Sequence, residues 1–191
     1  DQQLCRLNFG ALRGLSRVLA IDGAADVLSA IAHRPLPLVR AIDLRTFPVA
    51  ADGLLALQKA TPNLTECYMS GHVQLEAGNI PMLRTWPSLT ALSLPPSPHL
   101  TDESMQHIAS LGCLQRLSLS GTPISKVGCK FLACGPAGAS LTVLYLSECQ
   151  KLNRGAMRQL RNMPRLAELQ LQQCNRLFQG SADQHGLGQI I

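Results

Sequence analysis

The residues of this chain that could do chemistry are scattered rather than assembled. Seven cysteines stand at Cys5, Cys67, Cys113, Cys129, Cys134, Cys149 and Cys174. None forms the C-x-x-C pair of many zinc and redox sites, and Cys129 and Cys134 have no nearby histidine pair to complete a tetrahedron. An odd number of thiols spread along the chain fits a reducing compartment better than a disulfide framework. The histidines, His33, His72, His99, His107 and His185, are scattered over different parts of the chain. P-loop, G-x-G-x-x-G, G-x-S-x-G and H-E-x-x-H motifs are all missing. The expectation is a non-enzyme with no catalytic residue, no metal and no cofactor. Recognition chemistry remains. Tyr68 and Tyr145 are the only tyrosines, and Arg45, Arg116, Glu66 and Glu168 recur at related spacing. Tyrosine and arginine are enriched at binding hot spots. A second set, Arg154, Arg158, Arg161 and Arg165, is spaced to stack on one helical face. Such a face could meet an acidic protein, RNA or anionic lipid. It lacks interleaved aromatics for base stacking, so RNA is the less favoured partner.

These side chains need a frame, and leucine supplies it. The chain has 34 leucines in 191 residues, with 15 % charged and 4 % aromatic residues. Leu114-x-x-Leu117-x-Leu119 recurs at 141, 144 and 146 and at 166, 169 and 171. Earlier copies are Leu89, Leu92, Leu94; Leu64, Cys67, Met69; Val39, Ile42, Leu44; and a weaker Ser16, Leu19, Ile21. Seven copies at steps of 23 to 27 residues fill 20 of 21 slots with apolar residues, where 46 % apolar content would fill about ten by chance. The fourth and sixth positions share parity and so share one face of a short strand. The second half of each copy switches to helical spacing: Ile80, Leu83, Trp86; Met105, Ile108, Leu111; Met157, Leu160, Met163. Pro62, Pro87 and Pro164 stand two residues before the next strand, where they end helices. Thr101 or Asp102 is expected to cap the helix containing Met105, and Asn153 the one containing Met157. One strand and one helix per ~25 residues implies an α/β solenoid of about seven repeats, with parallel strands on the concave face and helices on the convex face.

The frame resembles leucine-rich repeats, more narrowly the ribonuclease-inhibitor-like and cysteine-containing types. The narrower signature, L-x-x-L-x-L-x-x-C-x-x-L, stands at Leu141 to Leu152 with Cys149 and at Leu166 to Leu177 with Cys174. Leu89 to Leu100 keeps the frame with Ser97 in the cysteine slot, while Phe47, His72 and Thr122 hold it elsewhere. The resemblance covers residues 16–180, leaving 1–15 as a flank and 181–191 as the end of the last repeat. It implies a horseshoe that binds a protein partner on its concave face. It also implies the substrate-recognition part of a cullin-type ubiquitin ligase adaptor, whose F-box would lie upstream of Asp1 or in another subunit. Related proteins without an F-box implicate a structural or assembly subunit of a large ribosomal or respiratory complex. The corresponding locations are cytoplasm or nucleus, or else the mitochondrial matrix. No stretch of about 20 apolar residues is present, so no membrane span is expected.

On this frame, alternate strand positions form rows across the concave face. The first row holds Glu66, Arg116 and Glu168, the second Tyr68 and Tyr145, and the third Arg45. Pro95-Pro96-Ser97-Pro98 should end its strand at Leu94. Gly135 to Ala139 reads as a loose connection. Gly23, Gly71 and Gly121 share one offset and read as turn glycines.

Overall fold

The computed structural model describes residues 6–8, 36–45, 49–69, 71, 73 and 75–178. Seven three-residue strands form one parallel sheet in chain order: β1 (Arg6–Asn8), β2 (Ala41–Asp43), β3 (Glu66–Tyr68), β4 (Ala91–Ser93), β5 (Arg116–Ser118), β6 (Val143–Tyr145) and β7 (Glu168–Gln170). Register is unbroken from β2 to β7, with Ile42, Cys67, Leu92, Leu117, Leu144 and Leu169 as successive central partners. Among the described residues, helices connect β2 to β7: α1 (Ala51–Ala60), a 3₁₀ helix (Ala77–Thr85), α2 (Met105–Ala109), α3 (Lys126–Cys134), α4 (Pro136–Ser140) and α5 (Arg154–Leu160), and α6 (Asn175–Phe178) follows β7. Each of the inner helices packs on the helix of the next unit. The fold is α/β, a parallel sheet with helices.

Burial explains why these spacings make these elements. Central strand residues point into one core: Ile42, Cys67 and Leu92 are 1–2 % exposed, and Leu117 and Leu144 are fully buried. Each such leucine contributes about 1.5–3 kcal/mol. The helical stripes complete the same core, with Ile80, Leu83, Trp86, Met105, Ile108, Leu111, Leu160 and Met163 buried and Met157 half-buried. Three-residue spacing suits a 3₁₀ turn as well as an α-turn. Where Pro81 removes a backbone donor, the 3₁₀ form is adopted.

Polar ladders join the units. Thr65, Thr90 and Thr142 each donate a hydroxyl proton to the carbonyl one unit back, those of Arg40, Thr65 and Gln115, at 2.9–3.0 Å. The slot after the strands carries a second ladder. Cys149 Sγ donates to Leu119 O at 3.2 Å, and Cys174 Sγ to Leu146 O at 3.0 Å. Ser97 Oγ also reaches into the preceding unit, but to Leu75 O at 3.2 Å, six residues beyond the equivalent Met69. Thr122 bonds its own strand end, at Leu119 O. Phe47 and His72 lie outside the described residues.

Five sequence expectations are corrected. The strand beside β2 is Arg6–Asn8, within the segment read as a flank, whereas Ser16, Leu19, Ile21 and Gly23 lie outside the described residues. β4 ends at Ser93 rather than at Leu94, although Leu94 is still buried and its N–H still donates to Ser118 O at 3.1 Å. Asp102 does not cap α2. It reaches the next unit instead, where Oδ1 accepts from Ser125 N at 2.7 Å and Oδ2 from Ser125 Oγ at 2.6 Å. Residues 136–140 form α4 rather than a loose connection. Gly138 lets it fold onto α3, since a Cβ there would stand 2.5 Å from Ala133 O. The fifth correction concerns the arginines and follows with the site. Asn153 caps α5 as expected, accepting from Ala156 N at 3.2 Å.

Candidate binding face of the sheet

Because side chains alternate along a strand, the residues flanking each buried centre emerge on the side of the sheet away from the core. The in-register pairing lines them up: Ala41, Glu66, Ala91, Arg116, Val143 and Glu168 in one row, Asp43, Tyr68, Ser93, Ser118, Tyr145 and Gln170 in the next. All four expected members of these rows other than Arg45 and Glu66 are placed on strands β3 to β7, and Glu66 opens β3. Arg45 follows β2 in a turn.

Two clusters form. In the first, Arg45 clasps Asp43 through Nε to Oδ1 at 3.0 Å and Nη2 to Oδ2 at 2.7 Å. The carboxylate holds the guanidinium pKa above its ordinary value, through its hydrogen bonds and its charge. The same guanidinium lies 5.6 Å from the centre of the Tyr68 ring, a cation–π distance. Tyr68 Oη donates to Glu66 Oε2 at 3.0 Å, and Arg116 Nη2 pairs with Glu66 Oε1 at 3.4 Å. That last contact spans two strands. Arg116 reaches over Ala91, whose methyl leaves the path open. In the second cluster, Glu168 accepts from Gln170 Nε2 at 3.0 Å. Burial, then the charge and hydrogen bond of Glu168, push the Tyr145 hydroxyl pKa up, while the charge of Arg116 draws it down. Arg116 thus acts electrostatically on both tyrosines' clusters.

The tyrosines share a row but stand three strands apart, each with its own carboxylate. Residues between them are Ser93 and Ser118, so the surface there is low and polar. Asp43 joins the cluster although it was not among the expected site residues. The signal was its i,i+2 relation to Arg45, which brings opposite charges together as the chain leaves the strand.

The four arginines are exposed but do not share one helix. Arg154 and Arg158 lie in α5, Arg161 is its C-terminal cap, and Arg165 lies in the turn before β7. The helix stops at Leu160, ahead of Pro164, which cannot continue it, so Arg165 does not join its face. Among the described residues no group of three or more His, Cys, Asp or Glu could hold a metal ion. No described helix is long and apolar enough to cross a membrane.

No protein-family model matches this sequence, and no curated protein matches it. Among solved structures the chain is similar to the crystal structure of the Rad7 and Elc1 complex in yeast, with TM-score 0.56 and 22 % identity. The similarity covers 66 % of this chain and 34 % of that chain, so this chain spans about a third of its neighbour's length. Likeness at this identity is a likeness of fold.

Proposed function

We propose that the chain is a leucine-rich-repeat protein whose sheet face captures a protein partner, as the substrate-recognition part of a cullin-type ubiquitin ligase adaptor. The observation that carries the binding reading is the Asp43–Arg45–Tyr68–Glu66–Arg116 network. Hydrogen bonds and ion pairs hold two arginines and a tyrosine in place on a face of otherwise small side chains. Pre-positioned side chains lose little freedom when a partner arrives, so more of each contact appears as affinity. The low serines between the two tyrosines leave room for an extended segment lying across the strands. The ligase reading rests on the cysteine-containing repeat signature at Cys149 and Cys174. The similar yeast structure is itself a complex of two proteins, which is in keeping with this.

Affinity purification with mass spectrometry tests the reading, using the wild-type chain and a Tyr68→Ala plus Tyr145→Ala variant. Recovery of candidate substrates is expected with wild type, together with a cullin adaptor where an F-box accompanies the chain, and the variant should lose the substrates. Hot-spot tyrosines typically account for about 2 kcal/mol or more each. Recovery of ribosomal or respiratory subunits would replace the ligase reading with that of an assembly subunit. Unchanged capture by the variant would sink the sheet-face site.

A further inference from the structure

The whole net charge of the chain resides in its second half. Residues 1–103 carry eight Lys and Arg against nine Asp and Glu, a balance of −1, while residues 104–191 carry nine against three, a balance of +6, which together give the +5 of the chain. The helices of that half concentrate it. From Lys126 through Ser140 and from Arg154 through Leu160 there is no acidic residue. Lys126 and Lys130 on α3, Arg154 and Arg158 on α5, and Arg161 at its end are all exposed. Among the described residues none of them is in an ion pair. The two helices pack together, and the Lys126 stem crosses Gly155 so closely that a Cβ there would stand 2.9 Å from its Cδ. The cations of α3 and α5 therefore share one surface.

Their placement also runs against local physics. Lys126 and Arg154 are the first residues of their helices, where the helix dipole favours acidic side chains. A local rule broken twice at adjacent positions points to use rather than stability. Beside the cations runs an apolar strip. Val127 is 49 % exposed, and one turn on, half-buried Phe131 lines an open hollow of about 360 Å³ with Gln106, Ala109, Ser110 and Pro136. A nucleic-acid backbone would engage the cations but has nothing to place against Val127 or in the hollow. The exposed aromatic side chains that base stacking needs are absent from α3 and α5, whose one aromatic is Phe131.

We propose that the helix side of α3 and α5 is a second docking surface, for an acidic amphipathic segment of a partner protein. Its carboxylates meet Lys126, Lys130, Arg154 and Arg158, and an apolar side chain rests on Val127 and Phe131. This surface is separate from the sheet face.

Fluorescence anisotropy of the 191-residue chain tests it, with a labelled peptide alternating Glu with Leu and Phe, a polyglutamate of equal charge, and a duplex DNA of equal charge. The amphipathic peptide should bind most tightly. Lys130→Glu plus Arg158→Glu should weaken it by at least about tenfold. Val127→Asp should weaken it severalfold more than it weakens polyglutamate. The Tyr68→Ala plus Tyr145→Ala variant should bind it normally. Circular dichroism and thermal melts confirm that these exposed substitutions leave the fold intact. Tighter binding of the duplex, equal binding of both peptides, indifference to the charge reversal, or no binding at low salt would each overturn the proposal.

Discussion

A single slot in the turn after each strand offers a demanding test of how the units are built. Gly121, Glu148 and Gln173 occupy equivalent places after β5, β6 and β7, at φ of 72°, 63° and 58°. All three sit in the left-handed region. At the first two of them the next unit holds the turn: Gly121 N donates to Ser147 O at 2.8 Å and Glu148 N to Gln172 O at 2.7 Å. A side chain in this region costs about 1–2 kcal/mol. Glycine removes that cost but loses about 0.5–1 kcal/mol more backbone entropy on folding. Glu148→Gly should therefore stabilise the chain by about 0.5–1 kcal/mol, and Gln173→Gly should act in the same direction. Gly121→Ala should do the reverse. It meets the same backbone cost, and its Cβ would stand 3.1 Å from Pro96 Cβ and Cγ. A loss of about 1–2 kcal/mol follows. Urea unfolding at constant m-value resolves these differences as shifts in midpoint. A lower midpoint for Glu148→Gly together with a neutral Gly121→Ala would refute the reasoning, because the slot would then not be held left-handed.

Three further outcomes are expected. Of the six described cysteines, Cys113 and Cys134 are exposed while Cys67, Cys129, Cys149 and Cys174 are buried. A thiol reagent should find Cys113 and Cys134 fast and the other four only on unfolding; Cys113→Ser plus Cys134→Ser leaving the native count unchanged would contradict this. Burial pushes the Cys67 and Cys129 thiols up from 9.0 to about 12, helped by the charges of Asp43 and Asp102 respectively. A group raised on folding stabilises fully below its unfolded value, so stability should fall as pH rises from about 9 to about 12. Cys67→Ala plus Cys129→Ala should flatten that part of the pH profile, and an unchanged slope would rule the thiols out as its cause. Asp102→Ala leaves the buried-side donors of Ser125 without their carboxylate and should cost about 2 kcal/mol in thermal or urea unfolding. A loss below about 0.5 kcal/mol would mean that water replaces the carboxylate at little cost.

Much of the architecture was legible along the chain because it is a local matter repeated. A strand centre such as Leu117 and a helical stripe such as Met105, Ile108 and Leu111 lie within 15 residues of one another, and both must be buried. Their spacing therefore reports their conformation. The first unit was not legible in this way. Ser16, Leu19 and Ile21 match the frame loosely, yet the strand that pairs with β2 is Arg6–Asn8, 35 residues upstream of its partners. Loop length is weakly constrained in energy, so a regular step could not locate that strand. The short helix α4 was missed for another reason. Gly and Pro read as breakers, but close packing on α3 and on Ala109 requires residues without side chains.

The candidate site divides along the same line. Sequence alone determined which residues face away from the core, since parity along a strand follows from the backbone pleat. Tyr68, Tyr145, Glu66, Arg116 and Glu168 were all assigned to that face by parity. Only the tertiary structure decided which of them meet. Glu66 and Arg116 are 50 residues apart and become partners because parallel strands stack about 4.8 Å apart in register, with an alanine between them. Arg165 is set apart from α5 by Pro164, a break that the sequence already carried although the spacing of the four arginines masked it. Spacing encodes direction relative to one's own backbone, whereas contact depends on the register between backbones.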